Sequence, residues 1–292
     1  MDLRGAFTAL VTPFRDGEVD EKALRDLVER QIASGIDGLV PCGTTGESVT
    51  LRGDEPARVM RAVVEQARGR VPVIAGAGSN ATEKTIALSR TAREAGVDGL
   101  LLVCPYYNKP TQAGLEAHFR AVLAEVPMPA VLYNVPGRTG SDLSADTVER
   151  LTDVPHVVGL KEATGNILRT QEVVRRCGDR LAVLSGDDAL TLGILAVGGT
   201  GVISVTSNLA PKEVADVCRL WREGETAESR RLHQRLLPVH DALFIEANPG
   251  PVKLAMADAG FLAPEIRLPL VIPSERSCEV IRQAVKTAQV PS

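Results

Sequence analysis

The chain contains 292 residues, of which 44% are hydrophobic and 24% charged, with a formal net charge of −4 at pH 7. This composition is ordinary for a globular protein with a large core, and the charge offers no electrostatic footprint for nucleic acid or an anionic membrane. No apolar run approaches the roughly 20 residues that span a bilayer, so we expect no membrane partner.

Targeting and metal-binding patterns are missing from the sequence. The N-terminal apolar stretch is interrupted at Pro13, too early for a secretory signal. The five cysteines are scattered and free of Cys-x-x-Cys spacing, as is typical of reduced cytoplasmic thiols. The four histidines form no His-x-x-x-His or His-Glu-x-x-His pattern. We therefore expect a cytoplasmic location and no catalytic metal.

Apolar segments bounded by Gly, Pro or Asp recur along the chain and predict strands. In chain order they cover residues 6–11, 38–42, 71–75, 99–104, 130–133, 157–160, 181–184 and 201–205. The segments between them have helical periodicity; residues 20–34, for example, place Leu24, Leu27 and Val28 on one face. Eight strand–helix units in about 220 residues predict an α/β fold of the (β/α)8 TIM-barrel type.

The connections between units support the barrel. Residues 34–39 and 95–100 repeat nearly the same helix end, turn and strand start, and Gly35 and Gly96 suit the left-handed position that closes a helix. An open doubly wound sheet is the alternative, but it would need a Gly-x-Gly-x-x-Gly turn after the first strand, which residues 11–14 do not supply. No clear strand follows residue 225. We therefore predict a barrel over residues 1–224 and additional C-terminal helices packed on it over residues 225–292.

Polar residues follow several of these strands. In barrels of this type the active site lies at the carboxyl ends of the strands, so these residues should converge. They are residues 42–47, 105–108, 133–134, 161–162 and 185–188. A lysine amine, a phenol, two threonine hydroxyls and a glycine-rich turn would then face one pocket. This set suits carbonyl chemistry through an imine, with backbone N–H groups holding a carboxylate.

Lys161 is the residue on which this interpretation depends. We interpret the other six lysines as lying in polar, helical or loop-like segments, whereas Lys161 ends an apolar, β-branched run. At the usual pKa only about one lysine in 2,500 is a free amine at pH 7, but desolvation disfavours the charged form and would produce a nucleophile. By its position alone, Lys161 is also typical of a lysine that extends from a strand end to solvent.

The other candidate residues have ordinary interpretations as well. Residues 43–48 superficially match a phosphate-binding loop but lack its Gly-Lys-Ser/Thr ending, and they could form a plain tight turn. Tyrosines at strand ends are usually core residues with a satisfied hydroxyl, and Arg138 could form a surface salt bridge. Gly198-Gly199-Thr200-Gly201 precedes the eighth strand, so we interpret it as a helix-to-strand turn and not as a phosphate site.

Several motifs together resemble one known family. They are Ala9-Leu10-Val11-Thr12-Pro13-Phe14, Gly43-Thr44-Thr45-Gly46-Glu47, Tyr106-Tyr107-Asn108-Lys109-Pro110, Tyr133-Asn134-Val135-Pro136-Gly137-Arg138-Thr139, Gly159-Leu160-Lys161-Glu162-Ala163, Ser185-Gly186-Asp187-Asp188, Asn248-Pro249 and Pro251-Val252-Lys253. In this order, and nearly end to end, the chain resembles the dihydrodipicolinate synthase family of the pyruvate-dependent class I aldolase/lyase superfamily. The resemblance implies a lyase that condenses pyruvate with L-aspartate 4-semialdehyde to 4-hydroxy-tetrahydrodipicolinate, in lysine and diaminopimelate biosynthesis.

The resemblance also implies roles for individual residues. Lys161 would form the Schiff base with pyruvate, and Tyr133 would be the central proton-transfer group. Thr44 would link Tyr133 to Tyr107, which in family members reaches the site of a neighbouring subunit. Thr45 would bind the pyruvate carboxylate through its backbone N–H.

The remaining roles concern the second substrate and the cofactor. Arg138 would hold the carboxylate of the semialdehyde, which suits a planar guanidinium fork. Gly186 and Ile203 would line the pocket near the imine. The resemblance implies no metal and no organic cofactor, because the imine on Lys161 is itself the electron sink.

Other functions stay open at this stage. The resemblance extends to N-acetylneuraminate lyase, which typically has Gly-Ser-Thr-Gly-Glu in place of residues 43–47 and lacks the Gly-Arg-Thr turn, and to keto-deoxy-sugar aldolases. A non-catalytic regulatory barrel is the alternative from another class, although the intact lysine, tyrosine and threonine set argues against it. Arg138 favours an acceptor with a carboxylate near its reacting carbon.

Regulation and assembly are inferred from the resemblance alone. Lysine-sensitive members bind L-lysine through residues matching Ser48, Asn80 and Tyr106, and they carry a glutamate where this chain has Lys84. Because that cation would repel the ligand's ammonium, we expect weak or absent inhibition by lysine. Family members are mostly tetramers built from tight dimers, so we expect a homotetramer.

Overall fold

The computed structural model describes residues 1–290. Within this range the strands are β1 (Gly5–Ala9), β2 (Phe14–Arg15), β3 (Glu18–Val19), β4 (Gly38–Val40), β5 (Ile74–Gly76), β6 (Gly99–Val103), β7 (Ala130–Asn134), β8 (Val157–Glu162), β9 (Ala182–Ser185) and β10 (Gly201–Ser204). The helices are α1 (Glu21–Ala33), α2 (Glu55–Ala67), α3 (Thr82–Glu94), α4 (Gln112–Glu125), α5 (Pro136–Thr139), α6 (Ala145–Leu151), α7 (Ile167–Cys177), α8 (Thr191–Ala196), α9 (Pro211–Arg222), α10 (Thr226–Ala242), α11 (Gly250–Asp258) and α12 (Glu275–Thr287).

Eight parallel strands form a barrel, in the order β4-β1-β10-β9-β8-β7-β6-β5. The ring closes between β4 and β5 through a parallel bridge that pairs Leu39 with Val73. The Leu39 N–H donates to the Pro72 carbonyl at 3.0 Å, and the Gly76 N–H donates to the Pro41 carbonyl at 2.9 Å. The predicted (β/α)8 fold is therefore confirmed.

Each predicted strand differs from the observed strand by one to three residues at one end or both, and the first and third differ as follows. The first strand ends at Ala9 and not at residue 11, because the chain then turns into a hairpin made of β2 and β3. This hairpin was not predicted, although Asp16 and Gly17 both have positive φ, 54° and 79°, as a two-residue Asp-Gly hairpin turn requires. The third predicted strand begins at Ile74 and not at residue 71.

Side chains alternate between two apolar layers along each strand. In β7, Val131 and Tyr133 belong to the cluster inside the barrel, whereas Leu132 belongs to the cluster between the barrel and the helices. Because Val131 pairs with Gly159 and Tyr133 pairs with Lys161, Gly159 and Lys161 also face inward. A Cβ on Gly159 would lie 2.8 Å from the Leu3 side chain, so the barrel is filled below Lys161.

Three helices, α10 to α12, follow residue 225, where no strand was predicted. Their apolar residues, such as Leu236 and Ile281, belong to the same core cluster as the outer face of the barrel strands. Across residues 1–290 no helix has the length and apolar character needed to cross a membrane. Asn248 and Pro249 lie in the segment between α10 and α11.

Candidate active site

A cavity of about 350 Å3 opens at the carboxyl ends of β7, β8 and β9. Tyr133, Arg138, Gly186, Asp187 and His240 are among its lining residues. These residues are distant in sequence and come from separate βα segments and from α10. Of the residues expected to converge, Tyr133, Gly186 and Asp187 line this cavity, whereas Lys161 and residues 42–47 and 105–108 are not among its lining residues.

Lys161 lies inside the barrel near the carboxyl end of β8 and is only 5% exposed. Its Nζ is 4.2 Å from the centroid of the Tyr133 ring. Burial lowers the pKa of Lys161 to about 8, helped by the Arg138 charge and opposed by the negative charge of Asp188. At such a pKa about a tenth of the molecules carry a neutral amine at pH 7, so the side chain can act as a nucleophile.

Tyr133 lies across from Lys161 on the neighbouring strand and is also buried. Burial raises the pKa of the Tyr133 phenol, while the Arg138 charge and a hydrogen bond with the Thr44 side chain oppose that rise. The phenol therefore keeps its proton at neutral pH and can donate it to a reacting atom. Thr44 itself is exposed in the isolated chain.

Gly186 and Ile203 complete the surroundings of the lysine. A Cβ on Gly186 would lie 2.7 Å from the Ala163 side chain and 3.0 Å from Cε of Lys161. The lysine side chain therefore passes against bare backbone, and any larger residue at this position would displace it. Ile203 is 1% exposed and packs in the same interior cluster as Tyr133.

Polar contacts with residues distant in sequence hold the loop after β4 in place. Thr45 is buried, and its hydroxyl accepts a hydrogen bond from the Asn248 amide at 3.0 Å. The Thr12 hydroxyl donates to the Gly46 carbonyl at 2.7 Å. Such contacts fix the direction of the backbone N–H groups in the loop, as the binding of a carboxylate would require.

Glu47 connects this loop to a buried ionic cluster. Its carboxylate pairs with Lys253 and accepts the Arg267 backbone N–H at 3.0 Å. The Arg267 side chain pairs with Glu55 at 2.6 Å. The cations of Lys253 and Arg267 lie 4.2 and 4.1 Å from the centroid of the Phe14 ring, an arrangement that stabilises buried cations.

Lys253 lies in a helical segment, α11, as the sequence indicated, but its burial was not anticipated. Its side chain is 2% exposed, and burial lowers its pKa against the charge of Glu47. Its apolar helical neighbours Val252, Leu254 and Met256 were a signal of burial that could have been used. Lys161 is therefore not the one buried lysine; it differs from Lys253 in having no carboxylate in contact among residues 1–290.

Arg138 lies on the short helix α5, beside the cavity, and is exposed. It makes no salt bridge with any residue in the range 1–290, so the surface salt bridge considered from the sequence is not observed. A guanidinium that lines a cavity without a carboxylate partner is free to bind an anionic group.

Tyr107 lies outside the cavity of its own chain. Its side chain is 87% exposed, and its backbone has a positive φ of 76°, a conformation that costs energy for a bulky residue. Its N–H donates to the Thr139 carbonyl at 3.0 Å. Within one chain, the structure does not bring the tyrosine together with Lys161.

The candidate residues for lysine binding lie on neighbouring loops. Ser48, Asn80 and Tyr106 are half-buried, and Lys84 is exposed on the first turn of α3. The Asn80 carbonyl accepts a hydrogen bond from the Asn108 amide at 2.8 Å, which ties two of these loops together.

His240 is a cavity residue that the sequence analysis did not identify. We considered histidines only as metal ligands, and no group of three or more metal-binding side chains occurs in residues 1–290. His240 lies in the last turn of α10 and is 3% exposed. Its distance from the strands in sequence left no local signal of a place in the cavity.

A (β/α)8 barrel with a partly neutral, buried lysine beside a phenol defines the class of lysine-dependent, imine-forming lyases. The model of the dihydrodipicolinate synthetase family matches residues 2–288, and the chain belongs to this family.

Named relatives are similar over nearly the whole chain. One is 56% identical over 271 residues, covering 92% of this chain and 93% of the relative, and is the 4-hydroxy-tetrahydrodipicolinate synthase of Nitratidesulfovibrio vulgaris. Another, from Sorangium cellulosum and named likewise, is 55% identical over 289 residues, with 98% and 96% covered.

Solved structures are similar as well. The 4-hydroxy-tetrahydrodipicolinate synthase of Methylacidiphilum fumariolicum superposes with a TM-score of 0.97 at 45% identity, with 99% and 96% of the two chains covered. A monomeric variant of dihydrodipicolinate synthase superposes with a TM-score of 0.96 at 42% identity, with 98% and 97% covered.

Proposed function

We propose that this chain is a 4-hydroxy-tetrahydrodipicolinate synthase, which condenses pyruvate with L-aspartate 4-semialdehyde in the biosynthesis of diaminopimelate and lysine. The observation that carries the proposal is the buried Lys161 amine beside the Tyr133 ring, in a chain that belongs to the dihydrodipicolinate synthetase family. The names of relatives at up to 56% identity support the choice of substrates.

The first half of the reaction activates pyruvate. The neutral Lys161 amine attacks the ketone carbon, and loss of water gives an imine. Tyr133 exchanges protons with the reacting oxygen and nitrogen, and the Thr44 side chain near its phenol opposes the rise in its pKa. The N–H of Thr45 binds the pyruvate carboxylate. Loss of a methyl proton from the imine then gives an enamine.

The second half joins the two substrates. The enamine carbon attacks the aldehyde of the semialdehyde while Arg138, without a carboxylate partner among residues 1–290, holds the carboxylate of this acceptor. The acceptor's amino group then replaces Lys161 at the imine carbon and closes the ring. The carbanion is stabilised by the imine on Lys161, so we propose that the reaction uses no metal and no organic cofactor.

The chain contributes two further features to this proposal. Residues 225–292, of which 291 and 292 lie outside the described residues, would form a helical extension on the barrel of residues 1–224, and Asn248 holds the loop of Thr45. The enzyme would act in the cytoplasm, which its five buried, unpaired cysteines suit.

We also propose a homotetramer built from tight dimers, in which Tyr107 completes the site of a neighbouring subunit. The exposed ring and the strained backbone of Tyr107 support this assignment, since strain of this kind persists where it serves a site. Sedimentation analysis alongside activity tests it: a monomer with full activity would contradict the role of Tyr107.

Weak or absent inhibition by L-lysine is part of the proposal. The exposed ammonium of Lys84 lies on α3, next to the loop of Asn80, and would repel a cationic ligand. An inhibition constant in the sub-millimolar range at saturating pyruvate would refute this expectation.

The acceptor is tested by comparing wild type with Arg138→Lys. We expect product formation from pyruvate and L-aspartate 4-semialdehyde, and a rise in the acceptor KM of roughly 10-fold or more in the variant, because a lysine cannot replace the bidentate fork. The KM for pyruvate should change little. A keto-deoxy-sugar or N-acetylneuraminate lyase would instead cleave its sugar acid and ignore the semialdehyde. An unchanged acceptor KM would remove Arg138 from the binding role.

A further inference from the structure

The polar groups of the cavity form a pattern beyond the imine-forming pair. The lining residues include the cation Arg138 and, near His240, the acidic residues Asp187 and Asp241. A zwitterionic acceptor has both a carboxylate and an ammonium, and the cavity offers groups of the opposite charge to each. His240 and its acidic neighbours have no role in the function proposed above.

His240 is a lining residue whose ring has a free nitrogen. Its Nδ1 is 2.8 Å from the Thr206 hydroxyl, which fixes the ring. Its Nε2 has no hydrogen-bond partner among residues 1–290. Because it is not one of the fully buried polar atoms that lack a partner, part of its surface is accessible. Nε2 is therefore the ring nitrogen that a ligand can reach. With Nδ1 carrying the proton and donating to Thr206, Nε2 presents a lone pair.

Titratable groups from several elements lie near this ring. Burial lowers the pKa of His240, and the neighbouring His233 lowers it further, while Asp188, Asp187 and Asp241 oppose the shift. Asp188 is fixed, since it accepts N–H groups of Val205 and Thr206 at 2.8 and 3.1 Å. The ring is therefore neutral at pH 7, yet carboxylates stand near enough to stabilise an imidazolium when a proton arrives.

We propose that His240 is a catalytic residue whose Nε2 accepts a proton from the ammonium of the acceptor substrate, so that the resulting amine can displace Lys161. This inference rests on the proposed function, because only an acceptor with an amino group needs such a base. It assigns the acid–base work of ring closure to His240 and leaves the methyl protons of pyruvate to Tyr133.

The step balances without any oxidant or further reactant. The ammonium gives one proton to Nε2, and the amine lone pair forms a new C–N bond to the carbon of the protonated imine, whose π electrons move onto Nζ of Lys161. One proton then passes from the new nitrogen to Nζ. The bond between the carbon and Nζ breaks with its electron pair on Nζ while the lone pair of the new nitrogen forms the C=N bond, which restores the free lysine amine and leaves a protonated cyclic imine. The cyclic imine and His240 each release one proton to solvent.

The other cavity groups are less suited to this task. Asp187 already accepts the Ala189 N–H at 3.0 Å, and Asp241 is exposed, so its interaction with an ammonium is screened by water. Tyr133 keeps its proton because burial raises its pKa. A neutral imidazole with one fixed and one free nitrogen is the group in the cavity that can both accept and return a proton near pH 7.

The test uses His240→Asn and His240→Gln in the full-length enzyme. Asparagine places an amide near Nδ1 and can keep the Thr206 contact, whereas glutamine places one near Nε2, and neither is basic. Two rates are measured: exchange of the pyruvate methyl protons with solvent, which needs no acceptor, and condensation with L-aspartate 4-semialdehyde. The matched control is His233→Gln, since His233 Nε2 lies 3.1 Å from the Ala189 carbonyl and an amide can keep that contact.

We expect both His240 variants to exchange methyl protons within about twofold of wild type while condensation falls by about 10²-fold, as the loss of a general base predicts. His233→Gln should keep both rates within about threefold. The kcat/KM of wild type for the acceptor should decline on the acid side as His240 becomes protonated, and the variants should lose that decline.

Three results would overturn the inference. Full condensation by His240→Gln would reduce the residue to a hydrogen-bonding role. An equal loss of both rates would place it in the pyruvate half of the reaction or in folding. If wild type exchanges methyl protons but makes no product with the semialdehyde, the proposed function itself fails, and this inference fails with it.

Discussion

Replacing Lys161 with alanine should remove condensation activity by at least about 10³-fold, because the covalent route through the imine is lost. The amine is only 5% exposed and faces the barrel interior beside Tyr133, so no other lysine can take its place. Lys253, the second buried lysine, is held by Glu47 at the far side of the loop after β4. Binding of pyruvate without the imine should persist only weakly.

The measurement is borohydride trapping with pyruvate, followed by intact mass and peptide mapping. Wild type should gain one pyruvate-dependent adduct on Lys161, and Lys161→Ala should gain none. Trapping should accelerate as the pH rises through about 8, because the pKa of Lys161 lies there and only the neutral amine attacks. Lys109→Ala, which removes an exposed lysine in the segment after β6, is the control and should label normally. An adduct on Lys109 or Lys253 would contradict the assignment of Lys161 as the imine-forming lysine.

Replacing Lys253 with methionine should destabilise the protein by about 3–5 kcal/mol, because removing one partner leaves the buried Glu47 carboxylate without its cation. Methionine keeps most of the side-chain volume, so packing against Phe14 is largely preserved. Glu47 would retain the N–H of Arg267 as a partner. The shift of the urea midpoint at constant slope measures the loss.

Two further variants distinguish charge from packing. The double variant Glu47→Gln with Lys253→Met should recover much of the lost stability, since it leaves no unpaired buried charge. Lys22→Met is the surface control: Lys22 pairs with Asp26 at 2.6 Å, but both side chains are exposed, and we expect no measurable change. A loss below about 1 kcal/mol in Lys253→Met would show that the buried pair contributes little.

The sequence was informative where a local pattern carries the signal. The eight strands follow from short apolar runs between Gly, Pro and Asp, and each run needs only its own neighbours to be read. The place of Lys161 at the carboxyl end of β8 follows from the same pattern. Errors arose at turns and in helices: the Asp16-Gly17 hairpin was overlooked, and Lys253 was judged by its type and not by its apolar neighbours.

By itself, the sequence determined the order of strands and helices and the end of the barrel where polar residues gather, because both depend on contacts within a few residues. Only the tertiary structure decided which groups meet. Glu47 and Lys253 are 206 positions apart, Thr45 and Asn248 are 203 apart, and His240 reaches the cavity from a helix that follows the last strand. Barrel closure and the packing of α10 and α11 bring these groups together. The depressed pKa of Lys161 likewise exists only once other strands exclude water from it.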